Sequence, residues 1–401
     1  MEKKIITFGC RLNACESETI RNFADEMGLD DFTLINTCAV TGEAERKLRQ
    51  TIRKLYRENE KIKIILTGCA SELNPDYYVK MNGVVGIISN KIKLQKAEYA
   101  KYASGNGAVH QSLAPKKIRG FLQIQNGCDR ECTYCVVRLT RGSSVSFSKD
   151  KIVKQAKQLL GNGYKEIVLT GVNISAYGRD LPSRQNLASI IRHILKSVPE
   201  LSRLRLSSLD PADIDDDLLE VIKNEERLMP HFHESIQSGD DVILKRMMRR
   251  HTRRQVEEIN CKILEARPEA VLGADIIVGF PTETDEMFQN TKELIANANL
   301  SLLHIFPFSA RPGTPAFFMP MVEKKTVERR WKELKQLAND MLAKKLSEYL
   351  GKNTAAIAES EYTARTNSFL SIKSTKSLVP GREYLFHCDC CRGGVLTGVP
   401  N

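Results

Sequence analysis

The chain has 401 residues, with 60 Lys and Arg against 49 Asp and Glu and a formal net charge of +11. That length holds two or three domains with sizeable cores, and the basic balance suits an anionic partner such as nucleic acid. No apolar run approaches the ~18 residues of a membrane span, so the expected location is cytoplasmic, where the 11 cysteines are thiols or metal ligands rather than disulfides.

The opening "MEKKIITFGC" is a poor signal peptide and reads as a first strand. It begins a pattern. Apolar runs "KKIITFGC", "DFTLINTC" and "KIKIILTGC" end at Cys10, Cys38 and Cys69, which lie 28 and 31 residues apart. A βαβ unit takes roughly 30 residues, and the segments between the runs have helical spacing, with Ile20, Phe23, Ala24 and Met27 on one face. Parallel strands joined by helices present their carboxyl ends on one edge, where ligands of open α/β sheets bind. The reading for residues 1–103 is therefore an open parallel α/β sheet domain with three thiols gathered at that edge.

Residues 104–118 mix Gly, Ala, Ser and Pro without periodicity and read as a linker. Six apolar runs follow, starting at residues 121, 166, 203, 231, 273 and 302, with amphipathic segments between them. Six β/α units predict a partial TIM-type (β/α)6 barrel over 119–345, with its chemistry at the carboxyl ends of the strands. A long helix over 322–351 leads to short strands between turn residues, a small β barrel over 346–401.

"NGCDRECTYC" lies just after the first barrel strand and carries Cys128, Cys132 and Cys135. A closed zinc site needs four ligands. A [4Fe–4S] cluster normally takes four cysteines, so three leave one iron open. A molecule with adjacent amino and carboxylate groups can chelate that iron, and S-adenosylmethionine has both.

On "CDRECTYC" after a strand of a six-unit β/α array, the chain resembles the radical-SAM superfamily. Tyr134 takes the aromatic position that the resemblance sets against the cofactor's adenine. With "TFGCRLNACESE", "NTCAVTGEAERKLRQ", "LTGC", "LTGVN", "HFHESIQSGDDVILKRMMRRHT", "DIIVGFPTET" and "HIFPFSARPGTP", it resembles the radical-SAM methylthiotransferases over nearly its whole length. The resemblance implies a second [4Fe–4S] cluster on Cys10, Cys38 and Cys69, with Cys15 structural, and a C-terminal TRAM-like module that binds RNA. It also implies contacts to S-adenosylmethionine from Gly171, Asn173 and Gln237. Arg11-Leu12 after Cys10, and Thr41 after "NTCAV", resemble the MtaB-like branch. That branch methylthiolates carbon 2 of N6-threonylcarbamoyladenosine at position 37 of tRNA; the isopentenyladenosine branch has Gln-Met and Arg at those places, and the ribosomal protein S12 branch has Pro-Lys after the first cysteine. Arg11 then becomes a candidate for the substrate carboxylate.

The implied chemistry is cleavage of S-adenosylmethionine at the first cluster and sulfur insertion at the second. It calls for tRNA, an external electron donor of flavodoxin type and a sulfur donor that the sequence does not specify. Rival readings are the same chemistry on isopentenyladenosine or on ribosomal protein S12, and an RNA-binding iron–sulfur protein without catalysis. Three departures from the family pattern stand out. Arg138 replaces a loop proline. Glu234 replaces an apolar residue and, by alternation, faces the helix layer. Cys388, Cys390 and Cys391, which with His387 offer only a weak metal-binding pattern, are expected to be exposed or adventitious thiols. The basic runs at 245–255 and Arg46 to Arg57 are candidate contacts to the tRNA backbone.

Overall fold

A computed structural model describes residues 4–28, 32–102 and 118–400. The linker read at 104–118 lies outside them but for residue 118.

Strands β1 (Lys4–Thr7), β2 (Thr33–Thr37), β3 (Ile64–Gly68) and β4 (Val84–Ile88) form one parallel sheet in sequence order. β2 and β3 are buried throughout, as strands covered on both faces must be. The helix Arg11–Glu26 buries Ile20 and Ala24 against Leu34 and Ile65 on one face. The helix Gly42–Glu58 buries Leu48, Ile52 and Leu55 against Ile35 and Leu66 on the other. Thr41 caps that second helix by accepting from Ala44 N–H at 3.1 Å.

The central domain begins with β5 (Arg119–Gln123). A short antiparallel pair, β6 (Gln125–Asn126) and β7 (Val145–Ser146), brackets the cysteine loop. β8 (Glu166–Thr170) and β9 (Leu204–Leu206) complete one parallel sheet with β5; β10 (His231–Gln237), β11 (Val271–Val278) and β12 (Leu300–Pro307) form a second. A parallel bridge between Leu209 and Glu234 joins the two, giving the six-stranded open barrel expected from the sequence. Its large core lies between strands and outer helices, where Phe232, Ile236, Leu272, Ala274 and Ile276 are buried. By alternation, His231, His233 and Asp275 point to the opposite, concave face.

After the helix Lys324–Ser347, strands β13 (Asn353–Ser360), β14 (Thr363–Thr366), β15 (Ser371–Ser374), β16 (Glu383–Arg392) and β17 (Val395–Pro400) close into a barrel in the order β13-β14-β15-β17-β16. Cys388 does not match the exposed thiol expected from the sequence. It points inward with Phe386 and is fully buried in this barrel's core, because the two residues share a face of β16. A register shift between Cys388 and Cys390 leaves Cys390 and Cys391 half-buried.

The small barrel sits on the amino ends of the central strands. Glu166, fully buried, is paired with Arg119, with Arg203 at 3.2 Å and with Arg205 at 2.9 Å. Arg205 also donates to the Asn367 carbonyl at 2.9 Å, and Arg203 to Asn367 Oδ1 at 2.6 Å. Phe369 stacks on His231 at 4.7 Å between ring centroids, and the guanidinium groups of Arg119, Arg205 and Arg365 lie 4.8–5.0 Å from its ring. It holds a left-handed φ of 71°, a conformation that a bulky residue adopts only when its surroundings impose it.

Candidate active site

Cys38 and Cys69 directly follow β2 and β3, and Cys10 lies three residues past β1. Adjacent parallel strands thus bring together three thiols that are far apart in sequence. Cys38 feels the charges of both Cys10 and Cys69, and burial pushes its thiol up to about 12. Cys10 is exposed, whereas Cys38 and Cys69 are buried. Gly9, at φ 88°, clears the space between them: a Cβ there would lie 2.6 Å from Cys38 Sγ.

The second triad belongs to one loop. Thr133 N–H donates to the Met247 carbonyl at 3.2 Å, its hydroxyl to the Arg246 carbonyl at 2.8 Å, and its own carbonyl accepts from Ala316 N–H at 2.8 Å. Tyr134 packs edge-on to Phe280, centroids 6.5 Å apart, against buried Ile243, Met247 and Ala316. The thiols receive donors: Arg130 N–H reaches Cys128 Sγ at 3.4 Å and Arg249 Nη1 reaches Cys132 Sγ at 3.6 Å. Arg249 is anchored on Asp210 at 3.1 Å and the Ser235 carbonyl at 2.6 Å. Burial pushes Cys135 up to about 12; bound iron would deprotonate such a thiol.

Both donor sets suit clusters rather than single ions. Each set offers three thiols, which leave one iron of a [4Fe–4S] cluster open, whereas a closed zinc site takes four ligands. N–H donors aimed at sulfur are what tune such clusters.

The triads face each other. Cys69 lies within electrostatic range of Cys135, and Val136, next to Cys135, is buried in the core of the first domain. Arg141, at the end of the short helix Val137–Arg141, crosses the interface. Its guanidinium donates to both Glu16 oxygens at 2.8 and 3.0 Å and to Asn13 Oδ1 at 2.6 Å. Lys93 pairs with the same carboxylate at 2.5 Å, and all three charges are buried. Burial alone would raise Glu16, but Lys93 and Arg141 hold it below the usual carboxylate range. Asn90 joins in, donating to the Thr140 carbonyl at 2.8 Å.

Gly171 and Asn173 lie just past β8, and Gln237 ends β10, all on the cluster side of the barrel. Gln125 staples that edge. Its Oε1 accepts from Val172 and Asn173 N–H at 3.0 and 2.9 Å, and its Nε2 donates to the Gly127 carbonyl at 2.7 Å. A Cβ at Gly171 would come within 2.9 Å of the Gln125 carbonyl. Gln237 has φ 79°, local strain of the kind found at functional sites. Arg11 turns toward the concave face of the barrel, its guanidinium 5.9 Å from the Phe369 ring centroid. Burial and then Arg119 lower its pKa, against the pull of Asp275 and Glu166. Among the described residues it has no hydrogen bond or ion pair.

The departures resolve as follows. Arg138 is exposed and paired with Glu131, and its carbonyl accepts from Gly142 N–H at 3.0 Å, so a helical turn gives the order that the absent proline would have given. Glu234 faces the helix layer as alternation required. It is fully buried, neither carboxyl oxygen has a hydrogen-bond partner, and burial pushes it up to about 8, with Asn260 offsetting only part. Cys15 donates to the Phe121 carbonyl at 3.3 Å, packing the helix Arg11–Glu26 onto β5. The basic run 245–255 is largely committed within the protein: Arg249 holds the cluster loop, Arg250 pairs with Asp213 at 2.7 Å, and Arg253 pairs with Glu257 and Glu293, each at 3.2 Å. The roles of Arg141, Glu16, Lys93 and Gln125 were not legible in the sequence; the available signal was three polar residues, Asn13, Glu16 and Ser17, among the buried positions of the first helix.

The pattern of the Radical SAM superfamily matches residues 122–295, and that of Uncharacterized protein family UPF0004 matches residues 3–89. A Rickettsia prowazekii (strain Madrid E) protein called threonylcarbamoyladenosine tRNA methylthiotransferase MtaB is 45% identical, covering 96% of this chain and 94% of its own. A protein of that name from Thermotoga maritima is 35% identical over 89% of this chain and 86% of its own. The tRNA-2-methylthio-N(6)-dimethylallyladenosine synthase of Bacillus pumilus is 33% identical over 89% and 76%. Among solved structures, the radical S-adenosylmethionine methyltransferase TsrM from Kitasatospora setae shares the fold, with a TM-score of 0.55 at 14% identity, covering 77% of this chain and 67% of that one. Identity of this extent, over both domains and into the terminal barrel, settles the relationship: the chain belongs to the radical-SAM methylthiotransferase family.

Proposed function

We propose that the protein adds a methylthio group to carbon 2 of N6-threonylcarbamoyladenosine at position 37 of tRNA. The observation that carries this reading is the facing pair of cysteine triads, pinned across the domain interface by Arg141 on Glu16 and Asn13. Identity supports the substrate: 45% to the Rickettsia prowazekii relative named for threonylcarbamoyladenosine, against 33% to the Bacillus pumilus relative named for dimethylallyladenosine.

In this reading Cys128, Cys132 and Cys135 hold one [4Fe–4S] cluster, and Cys10, Cys38 and Cys69 hold the other. When bound, the clusters and S-adenosylmethionine supply the radical that activates carbon 2 and the methylthio group that replaces its hydrogen. The chain's own residues bind and orient. Tyr134 offers an apolar wall beside the first triad, and Gly171, Asn173 and Gln237 form the strand-end rim for the amino acid and ribose of the cofactor. Arg249 and Arg130 aim donors at the thiols and keep the loop fixed. Arg141 sets the distance between the triads, which matters because a misplacement of about 1 Å costs roughly 10²-fold in rate. Arg11, a cation with no hydrogen bond or ion pair among the described residues, awaits the carboxylate of the threonylcarbamoyl group.

The boundaries 1–103, 119–345 and 346–401 divide these tasks among sulfur delivery, radical generation and RNA capture. No helix of the described residues is long and apolar enough to cross a membrane; tRNA as substrate points to a cytoplasmic site of action, with a flavodoxin-type electron donor and a separate supplier of sulfur. Nucleoside analysis of tRNA from a deletion strain tests the reading. Threonylcarbamoyladenosine should persist without its methylthio form, and complementation should restore it. An unchanged nucleoside profile would sink the proposal, and loss of only the isopentenyl product would move the chain to the other branch.

A further inference from the structure

Three side chains on adjacent strands take no part in holding either cluster. Asp275 Oδ1, on β11, accepts from His233 Nε2 of β10 at 3.0 Å and from His304 Nδ1 of β12 at 3.1 Å. The two rings are 4.6 Å apart. Gly273 makes room for the arrangement: a Cβ there would come within 2.7 Å of His233 Nδ1. Leu272, Ala274 and Ile276 lie under the outer helices, so Asp275 looks into the concavity, and the two histidines that meet it do too.

The trio is lopsided. His233 is 5% exposed at its side chain and Asp275 22%, but His304 is 57% exposed. Asp275, an acceptor, engages Nδ1 and so favours the tautomer with the proton there, which leaves Nε2 as a lone-pair acceptor on a largely exposed ring. Asp275 also lies near enough to Arg11 to act on its charge. An acceptor and a guanidinium free of ion pairs thus face the same concavity, with Asp275 three residues below the carboxyl end of β11 at Val278, a depth of ~10 Å. An adenine held beneath the cluster edge with its N6 substituent pointing down the barrel would place that substituent here.

We propose that Arg11 and His304 form a two-point site for the threonine part of the substrate, Arg11 taking the carboxylate and His304 Nε2 the hydroxyl proton. This rests on the substrate reading above and adds a specificity-determining residue to it. Asp275 and His233 are positioning residues: they fix the His304 ring and its tautomer. A neutral acceptor cannot repel an apolar isopentenyl group, but burying Arg11 against one would leave a cation unpaired, which is how a polar site rejects an apolar analogue.

The test is equilibrium binding of three synthetic anticodon stem-loops to cluster-loaded enzyme. One carries threonylcarbamoyladenosine, one the glycinylcarbamoyl analogue without the hydroxyl, and one plain adenosine. Wild type should bind the first most tightly and the last least. His304→Phe, which keeps a ring in place, should erase the preference for threonyl over glycinyl, about three- to tenfold for one neutral hydrogen bond. Arg11→Gln should erase the preference for either carbamoyl loop over adenosine, about ten- to a hundredfold for a charged one. Asp275→Asn should act as His304→Phe does, in the same direction but more weakly. A wild type that does not discriminate would overturn the substrate reading and the site together. A wild type that discriminates while His304→Phe keeps the full threonyl preference would overturn the site alone. A preference lost to a chelator and restored by zinc would also overturn it, replacing the hydrogen bond with a metal held by the trio.

Discussion

Cys128, Cys132 and Cys135 come from eight consecutive residues, whereas Cys10, Cys38 and Cys69 are spread over sixty and meet because three parallel strands end side by side. The first triad is a property of a loop, held by Thr133 and the Arg249 anchor. The second is a property of a fold, and disturbing the sheet core beneath it moves its ligands relative to one another. A loop-borne site can be moved between proteins, while a fold-borne site ties its chemistry to the stability of a whole domain.

The largest test of that contrast removes each triad in turn. Changing Cys128, Cys132 and Cys135 together to Ala should halve the iron of the reconstituted protein and abolish cleavage of S-adenosylmethionine, read as 5′-deoxyadenosine. Changing Cys10, Cys38 and Cys69 should also halve the iron but leave cleavage, with no methylthio product. Product from the second variant would refute the division of labour. Next comes Arg141→Lys, which keeps a charge but loses the fork that grips both Glu16 oxygens. Cleavage should fall less than twofold and product about tenfold or more, on the scale of a small misplacement between the two sites; parallel losses would assign Arg141 to the loop alone. Third, Ile35→Ala under β2 should cost about 2–5 kcal/mol as a buried large-to-small change. It should lower occupancy of the fold-borne cluster before the loop-borne one, seen as separate losses of iron on warming.

The smallest expected effect is a pH dependence. Glu234 is buried, with only Asn260 beside it to offset the cost, and is pushed up to about 8 from 4.5. An acid raised in the folded state favours folding fully below its unfolded value, and that contribution is lost as pH rises toward the folded value. Wild type should therefore lose thermal stability between about pH 4.5 and 8, and Glu234→Gln should flatten that slope and raise the melting temperature by a few degrees at pH 8. Identical slopes for the two proteins would show that the carboxylate has found a partner.

Much of this was legible because hydrophobic pattern and cysteine position coincide. Runs ending at Cys10, Cys38 and Cys69 gave the strands and the shared edge, and the triplet after β5 placed the loop. β4 escaped notice because "VVGIIS" is short and contains a glycine, which weakens a strand signal. Cys388 was misread as an exposed thiol although Phe386 and Cys388 share a face of β16, where alternation gives burial. The Arg141–Glu16 contact spans 125 residues, and no periodicity encodes a contact between domains. The His233, Asp275 and His304 group became visible only once the register of three strands was known.

Phe369 gives the terminal barrel an unexpected duty. Its ring lies across the amino ends of β5, β8, β9 and β10, stacked on His231 among the Arg119, Arg205 and Arg365 side chains. The chamber in which a carbon radical would be made is therefore closed from below by a residue of the small barrel. Without that barrel docked, the central barrel is open at its base, and a highly reactive intermediate would have water for a neighbour. A variant whose terminal barrel does not dock would still carry the ligands for both clusters but would lack the stopper that keeps water from the site.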